Sequence, residues 1–246
     1  MPSTALSRPR AFLPFTALMA LSTLSAAPDA LATPAFDAQS PFMFGDWNGT
    51  RGDLSAKGYD FKLDYTGEVG SNLHGGYNHD HATRYSDQFA LGVHMDLAKI
   101  LGWHDAEFQL TLTDRNGDNI SNDRINDPRV GGFTSAQEVW GRGNITRITQ
   151  LWYQQKFFDQ RLDIKAGRFG EGEEFNSFPC DFQNLAFCGS QVGNWVGSVW
   201  YNWPVSQWAL RVKYNITPEL YAQVGIFEQN PSNLENDNGL IGRAHV

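Results

Sequence analysis

The sequence predicts an all-β fold, a transmembrane antiparallel β-barrel, and three observations carry that expectation. Residues 59–73, YDFKLDYTGEVGSNL, alternate throughout: Tyr59, Phe61, Leu63, Tyr65, Gly67, Val69, Ser71 and Leu73 fall on one face, and Asp60, Lys62, Asp64, Thr66, Glu68, Gly70 and Asn72 on the other. Successive strand side chains point to opposite faces, so one face is apolar and the other polar. Similar runs recur, and several reach the roughly 9–11 residues that cross a bilayer at a tilt, beyond the five or six of an average globular strand. The connections between the runs alternate between short and long, in step with strand direction. Outer-membrane barrels sort their loops in this way, with short periplasmic turns and longer external loops; a soluble sandwich has no reason to.

The chain begins with a basic region at Arg8 and Arg10, an apolar run AFLPFTALMALSTLSAA and an A-x-A site at Ala30-Leu31-Ala32, so residues 1–32 are expected to be a secretory signal peptide. Removing it takes away Arg8, Arg10 and Asp29 and moves the formal charge from -8 to -9. A chain so acidic argues against a nucleic-acid partner and weakly against a pore built for anions. After the first thirty residues no stretch approaches the roughly 20 apolar residues of a membrane helix. A barrel escapes that test, because half of each strand faces water. Residues 33–43, rich in Pro, Ala and Ser, read as a linker. Thr50 with Asp53 forms a capping-box pattern and Gly58 a stop, which predicts a short helix over 51–57.

Seven strands follow. The first is 59–73. The second, about 85–97, places Tyr85, Phe89, Leu91, Val93, Met95 and Leu97 on one face with a misfit, Asp87. The third, about 105–113, sets Ala106, Phe108, Leu110 and Leu112 against Glu107, Gln109, Thr111 and Thr113. The fourth, about 147–157, is less regular: Leu151, Tyr153 and Phe157 share a face with Gln155, opposite Gln150, Trp152, Gln154 and Lys156. The fifth starts at Leu162. The sixth, about 207–216, and the seventh, about 220–227, alternate well. Two connections run to about thirty residues or more, between strands three and four and between strands five and six. The latter, about 171–206, carries the chain's two cysteines in CDFQNLAFC. In an exported chain a lone close pair is most simply a disulfide, Cys180–Cys188, worth about 2–3 kcal/mol by chain entropy. A metal site or redox pair would need further ligands or a C-x-x-C spacing. A crosslinked loop of this length is expected to be ordered and to fold inward, narrowing a pore, with an extracellular cap as the alternative.

The stretches FGDWNGTRGDLSAKGYDFKLDYTGEV, TQLWYQQKFFDQRLDIKAGRFGEGEEF, CDFQNLAFCGSQVGNWVGSVWYNWPVSQWALRVKY and YAQVGIFEQNPSN resemble the OprB-type carbohydrate-selective porins of Gram-negative outer membranes, over residues 44–238. The resemblance implies a barrel of sixteen strands that admits glucose and related neutral sugars by diffusion, with no cofactor. It also implies an outer-membrane location in contact with membrane lipids and lipopolysaccharide, as a homotrimer or a monomer. Family members are considerably longer, and GLIGRAHV at the end does not continue the strand pattern. Residues 44–246 are therefore expected to be a partial barrel domain, the N-terminal half of a truncated or frameshifted porin.

On this reading the polar strand faces line the lumen. Lys62, Asp64, Glu68, Glu107, Gln109, Lys156, Lys165, Arg211 and Lys213 mix both signs, which suits hydrogen bonding to sugar hydroxyls without selecting a charged solute. Trp152, Tyr221 and Phe227 fall on the lumen side, where their rings can stack on the C–H faces of sugars. Strict alternation puts Arg168 toward lipid, and a bulge or strand end near Gly167 is expected to turn it into the pore. Ordinary solvated strand residues are the simpler reading of each. DRNGDNISNDRI starts like a calcium loop but has Asn119 and Ile125 where Gly and Glu belong, so an acidic loop tip is expected. His74, His79 and His81 share one loop and read as surface residues, so no metal site is expected. The alternative function is an exported soluble β-sandwich that binds glycans. A barrel enzyme acting on lipid or saccharide is disfavoured, since no catalytic motif appears and Glu173 and Glu174 lie in a loop with nothing evident to position them.

Overall fold

The computed structural model describes residues 33–132, 135–177, 179–236 and 239; the expected signal peptide and, apart from Gly239, the final GLIGRAHV lie outside them. Residues 33–46 form a turn-rich loop rather than an extended linker, closed by Asp46 N donating to Thr33 O at 3.1 Å. Helix α1, Thr50–Ala56, is entered from Gly49 in the left-handed region without a side-chain cap, so Thr50 is a helical residue and not its cap. Gly58, at φ 96, stops it; a Cβ there would stand 2.7 Å from Asp96 O.

Seven strands, β1 (Tyr59–Asn72), β2 (Ala82–Asp96), β3 (Ala106–Gly117), β4 (Thr146–Phe157), β5 (Leu162–Phe169), β6 (Gln207–Asn215) and β7 (Tyr221–Phe227), pair antiparallel in chain order. The turn between β2 and β3 is a short helix, α2 (Leu97–Leu101), capped by Asp96 Oδ1 accepting from Ala98 N at 3.0 Å and stopped by Gly102. α3 (Glu171–Glu174) and α4 (Gln191–Trp195) lie in the long β5–β6 loop. The first four strands have 14, 15, 12 and 12 residues, enough to span a bilayer at a tilt.

The two faces differ as the alternation requires. Leu63, Leu91, Trp208 and Ile226 are 53, 51, 53 and 71% exposed, and they share one face with Tyr65, Val69, Phe89 and Val224. In a sandwich that face would be packed against a second sheet; here it is bare, as a lipid-facing band is. The misfits on this face have local partners. Asp87 accepts from Tyr65 Oη at 3.2 Å, and Gln155, near the short-turn end, donates to His104 O at 2.9 Å. The irregularity of β4 is a bulge: Thr111 pairs with Gln150 but Leu112 pairs with Ile148, which leaves Thr149 as an extra residue. The parity of the strand switches there, so Arg147 and Gln150 both face inward. The first and last strands have no partner on their outer edges among the described residues.

Both long loops fold over the inner face at the end opposite the short turns. Ile120 and Gln137, from residues 118–145, are buried against β1; a Cβ on Gly70 would meet them at 2.6 and 2.9 Å, so the position needs glycine. The β5–β6 loop folds inward too, as the sequence suggested, and the two loops are joined through Glu138 N to Gln183 O and Leu185 N to Ser135 O, each 2.9 Å.

Candidate functional site

The inner face is a layered polar surface. Near the short turns it is open. Lys62 and Asp64 pair at 2.9 Å, and Glu107 lies 3.4 Å from both His94 and Lys156. Lys213 places its Nζ 4.1 Å over the ring of Tyr221. Further up, Gln109 donates to Thr111, Thr111 to Gln150, and Gln150 to Glu173, at 2.8, 2.7 and 2.6 Å. Beside this chain, Lys165 and Arg211 reach Glu174 at 2.6 and 3.0 Å, and Arg211 also meets Asp163 at 3.0 Å. Glu173 and Glu174 are thus firmly positioned by α3, contrary to the sequence expectation.

Several predicted contacts lie on the inner face but are covered. Glu68 is buried, its Oε2 accepting from Val139 N at 3.0 Å under the first loop. Trp152 faces inward, yet Lys165 Nζ sits 4.3 Å over its ring. Phe227 packs edge-on against Phe169 and Phe175, at 5.6 and 6.0 Å. Arg168 stands at a strand end, with no bulge beside it. It pairs with Leu151 and Trp208 of the outer face, and no register shift turns it inward; Gly167, at φ 138, kinks the strand without inserting a residue. Arg168 sits at the strand end, buried, with Nη2 donating to Ser206 O at 3.0 Å. Cys180 and Cys188 form the expected disulfide. The sequence reading placed calcium-like residues Asp114 and Asn116 in a loop, but β3 runs on to Gly117 and carries Arg115 on its inner face. His74, His79 and His81 are exposed.

Between the two loops lies a cavity of about 590 Å³, within the usual range of ligand pockets. Its walls carry Arg115, Glu138, Arg142, Glu173, Trp140 and Trp203, and the disulfide borders it. Of these polar groups only Glu173 entered the sequence reading, and it was set aside there. Gln88 Oε1 accepts from both Arg115 Nε and Trp203 Nε1, at 2.8 and 2.9 Å, and so fixes both side chains. Neither Arg115 nor Arg142 forms an ion pair with a described residue, which leaves guanidinium donors for a guest. Burial raises the pKa of Glu138, with Arg115 pulling the other way, and burial likewise raises that of Glu173. Burial lowers that of Arg142. The cavity therefore offers donors and acceptors of both signs beside two indole rings. Glu138, Cys180 and Cys188 also converge, but the sulfurs are bonded to each other and do not form a metal site.

The carbohydrate-selective porin model of the OprB family matches residues 80–244. Porin B of Pseudomonas aeruginosa is 67% identical over 222 residues, 90% of this chain and 49% of that protein. The putative porin QuiX of Acinetobacter baylyi is 39% identical over 212 residues, 86% of this chain and 48% of that protein. The high-pH structure of Pseudomonas putida OprB superposes with a TM-score of 0.82 at 72% identity, covering 84% of this chain and 49% of that one. The low-pH structure of the same protein gives 0.53 at 51% identity, over 79% of this chain and 52% of that one. The chain spans about half the length of the curated relatives it matches.

Proposed function

Because the chain belongs to the OprB family of carbohydrate-selective porins, we propose that its sheet is one arc of a closed outer-membrane barrel of sixteen strands through which glucose and related neutral sugars diffuse. The observation that carries this reading is the cavity between the two inward loops, with Arg115, Arg142 and Glu138 facing a space on the inner side of the sheet. A neutral sugar entering it exchanges hydrogen bonds to water for bonds to guanidinium donors and carboxyl acceptors. Its C–H faces find Trp140 and Trp203. Groups of both signs hold a polyol without demanding a charge on it, and a site of this kind releases the sugar as readily as it takes it up. Diffusion down a gradient needs no more. The open mix of charges further down, Lys62, Asp64, Glu107, Lys156 and Lys213, keeps the exit wet.

The bare apolar outer band supports contact with membrane lipids and, on the loop side, lipopolysaccharide, and it tells against the soluble glycan-binding sandwich. Sequence patterning supports export. Membrane fractionation tests the location: recovery in the soluble periplasm would exclude a porin. The function is tested by reconstituting the complete porin in liposomes and following swelling in glucose and in a neutral disaccharide. Glucose enters faster, and Arg115→Gln and Arg142→Gln each slow it. Absence of glucose permeability overturns the assignment.

A further inference from the structure

We propose that Glu174 is a positioning residue for size selection: its carboxylate clamps the constricting loop to the barrel wall, and the clamp sets the aperture. The inference rests on the porin reading above. Glu174 closes α3, the stem of the β5–β6 loop, and that loop supplies Glu173, the disulfide, Asn202 and Trp203 to the cavity wall. Glu174 spends both oxygens on the wall. Oε1 takes Lys165 of β5 at 2.6 Å, and Oε2 takes Arg211 Nε of β6 at 3.0 Å. Its backbone carbonyl accepts from Gln223 of β7 at 2.7 Å, so one residue ties the loop to three neighbouring strands.

The clamp is almost dry: the side chains of Lys165, Glu174 and Arg211 are 6, 14 and 4% exposed. Ion pairs at a wet surface contribute little, but removing one member of a buried set leaves its partners uncompensated. The set is also closed off around itself. Trp152 and Phe169 lie against Lys165, at 4.3 and 4.6 Å, and Asp163 holds the far end of Arg211. Glu174 does not line the cavity, so its effect on a solute acts through the loop it holds. Freed from the wall, the stem no longer holds the second loop at a fixed distance from the first, and the gap opens often enough to pass larger solutes.

The test is Glu174→Gln in the complete porin, reconstituted in liposomes, with swelling rates in glucose and in a neutral disaccharide. The disaccharide-to-glucose ratio is expected to rise about fivefold. Glu174→Asp, which keeps the charge, returns most of the selectivity. Lys165→Met, near-isosteric against Trp152 and Phe169 and leaving Glu174 paired with Arg211, gives a smaller rise and serves if the Gln variant does not assemble. A ratio unchanged in both Glu174→Gln and Lys165→Met, with glucose flux retained, overturns the clamp. A wild-type porin that passes neither sugar overturns the porin reading and this inference with it.

Discussion

The two loops that meet over the inner face are held there by different chemistry. Residues 118–145 are held chiefly by a neutral amide, with Asp123 paired to Arg84 of β2 and Val139 N bound to Glu68 of β1 beside it. Gln137, fully buried, donates through Nε2 toward Glu68 O, Ser86 Oγ and Asp118 O, at 3.2, 2.9 and 3.2 Å, and accepts from Ile120 N at 2.9 Å. One amide thus ties the loop to the first two strands. Residues 170–206 are held by charge, through Glu173 and Glu174, and by a disulfide. The Gln137 anchor is indifferent to pH and salt, and the buried ion pairs of Glu174 are not. The first loop is a fixed wall, and the second is the adjustable one.

The sharpest way to break that contrast is Gln137→Leu. The substitution keeps much of the volume but strands three acceptors and the Ile120 amide in a dry site, and unpaired buried polar groups cost about 1–3 kcal/mol each. The loss is expected to be about 3 kcal/mol or more, read in denaturant titration, with protease cutting newly admitted between residues 118 and 145. Replacing Cys180 and Cys188 together by Ser comes next. It should weaken the second loop by about 2–3 kcal/mol and leave hydrogen exchange in the first unchanged.

pH separates the loops further. The raised pKa of Glu173 comes first from burial, which penalises the charged carboxylate, while Lys165 opposes it. A carboxyl whose folded pKa is raised contributes stability that is present below the ordinary Glu value of 4.5 and is lost as pH rises through the folded value. The second loop should therefore dock more tightly in mild acid, followed by hydrogen exchange across α3. Glu173→Gln should flatten this dependence and shift docking at neutral pH by about 1 kcal/mol or less.

The contrast was only half legible in the sequence. Alternation located all seven strands because lipid and water impose opposite demands on adjacent residues, and one-residue parity exposes the pattern. It ended β3 early, because Arg115 and the polar outer residues Asp114 and Asn116 look like a loop once the strand leaves the apolar band. It faltered in β4 because the bulge at Thr149 changes parity without any mark in composition. The cysteines announced an ordered second loop. Nothing announced the first, since a buried Gln137 and a close-approach Gly70 look like any polar and any small residue. The cavity was missed for the same reason. Arg115 of β3 meets Glu138 and Arg142 of the first loop, and Glu173 and Trp203 of the second, only when both loops fold onto one face, and no periodic signal records such a meeting.

The smallest expected effect defines the lower bound of the contrast. Lys62 and Asp64 form an ion pair of 2.9 Å on the same inner face, but their side chains are 75 and 52% exposed. Water screens the pair and both side chains lose rotamer freedom to make it, so its net contribution is small. Lys62→Ala is expected to change stability by less than about 0.5 kcal/mol. Its swelling rates in glucose and disaccharide should match the wild type, and raising the salt concentration should erase what difference remains. Lys165, a lysine of the same face paired at a comparable 2.6 Å, differs from Lys62 chiefly in being buried. If Lys62→Ala altered size selection as much as Lys165→Met, burial would not be what gives the clamp its strength, and the division between a fixed and an adjustable loop would lose its physical basis.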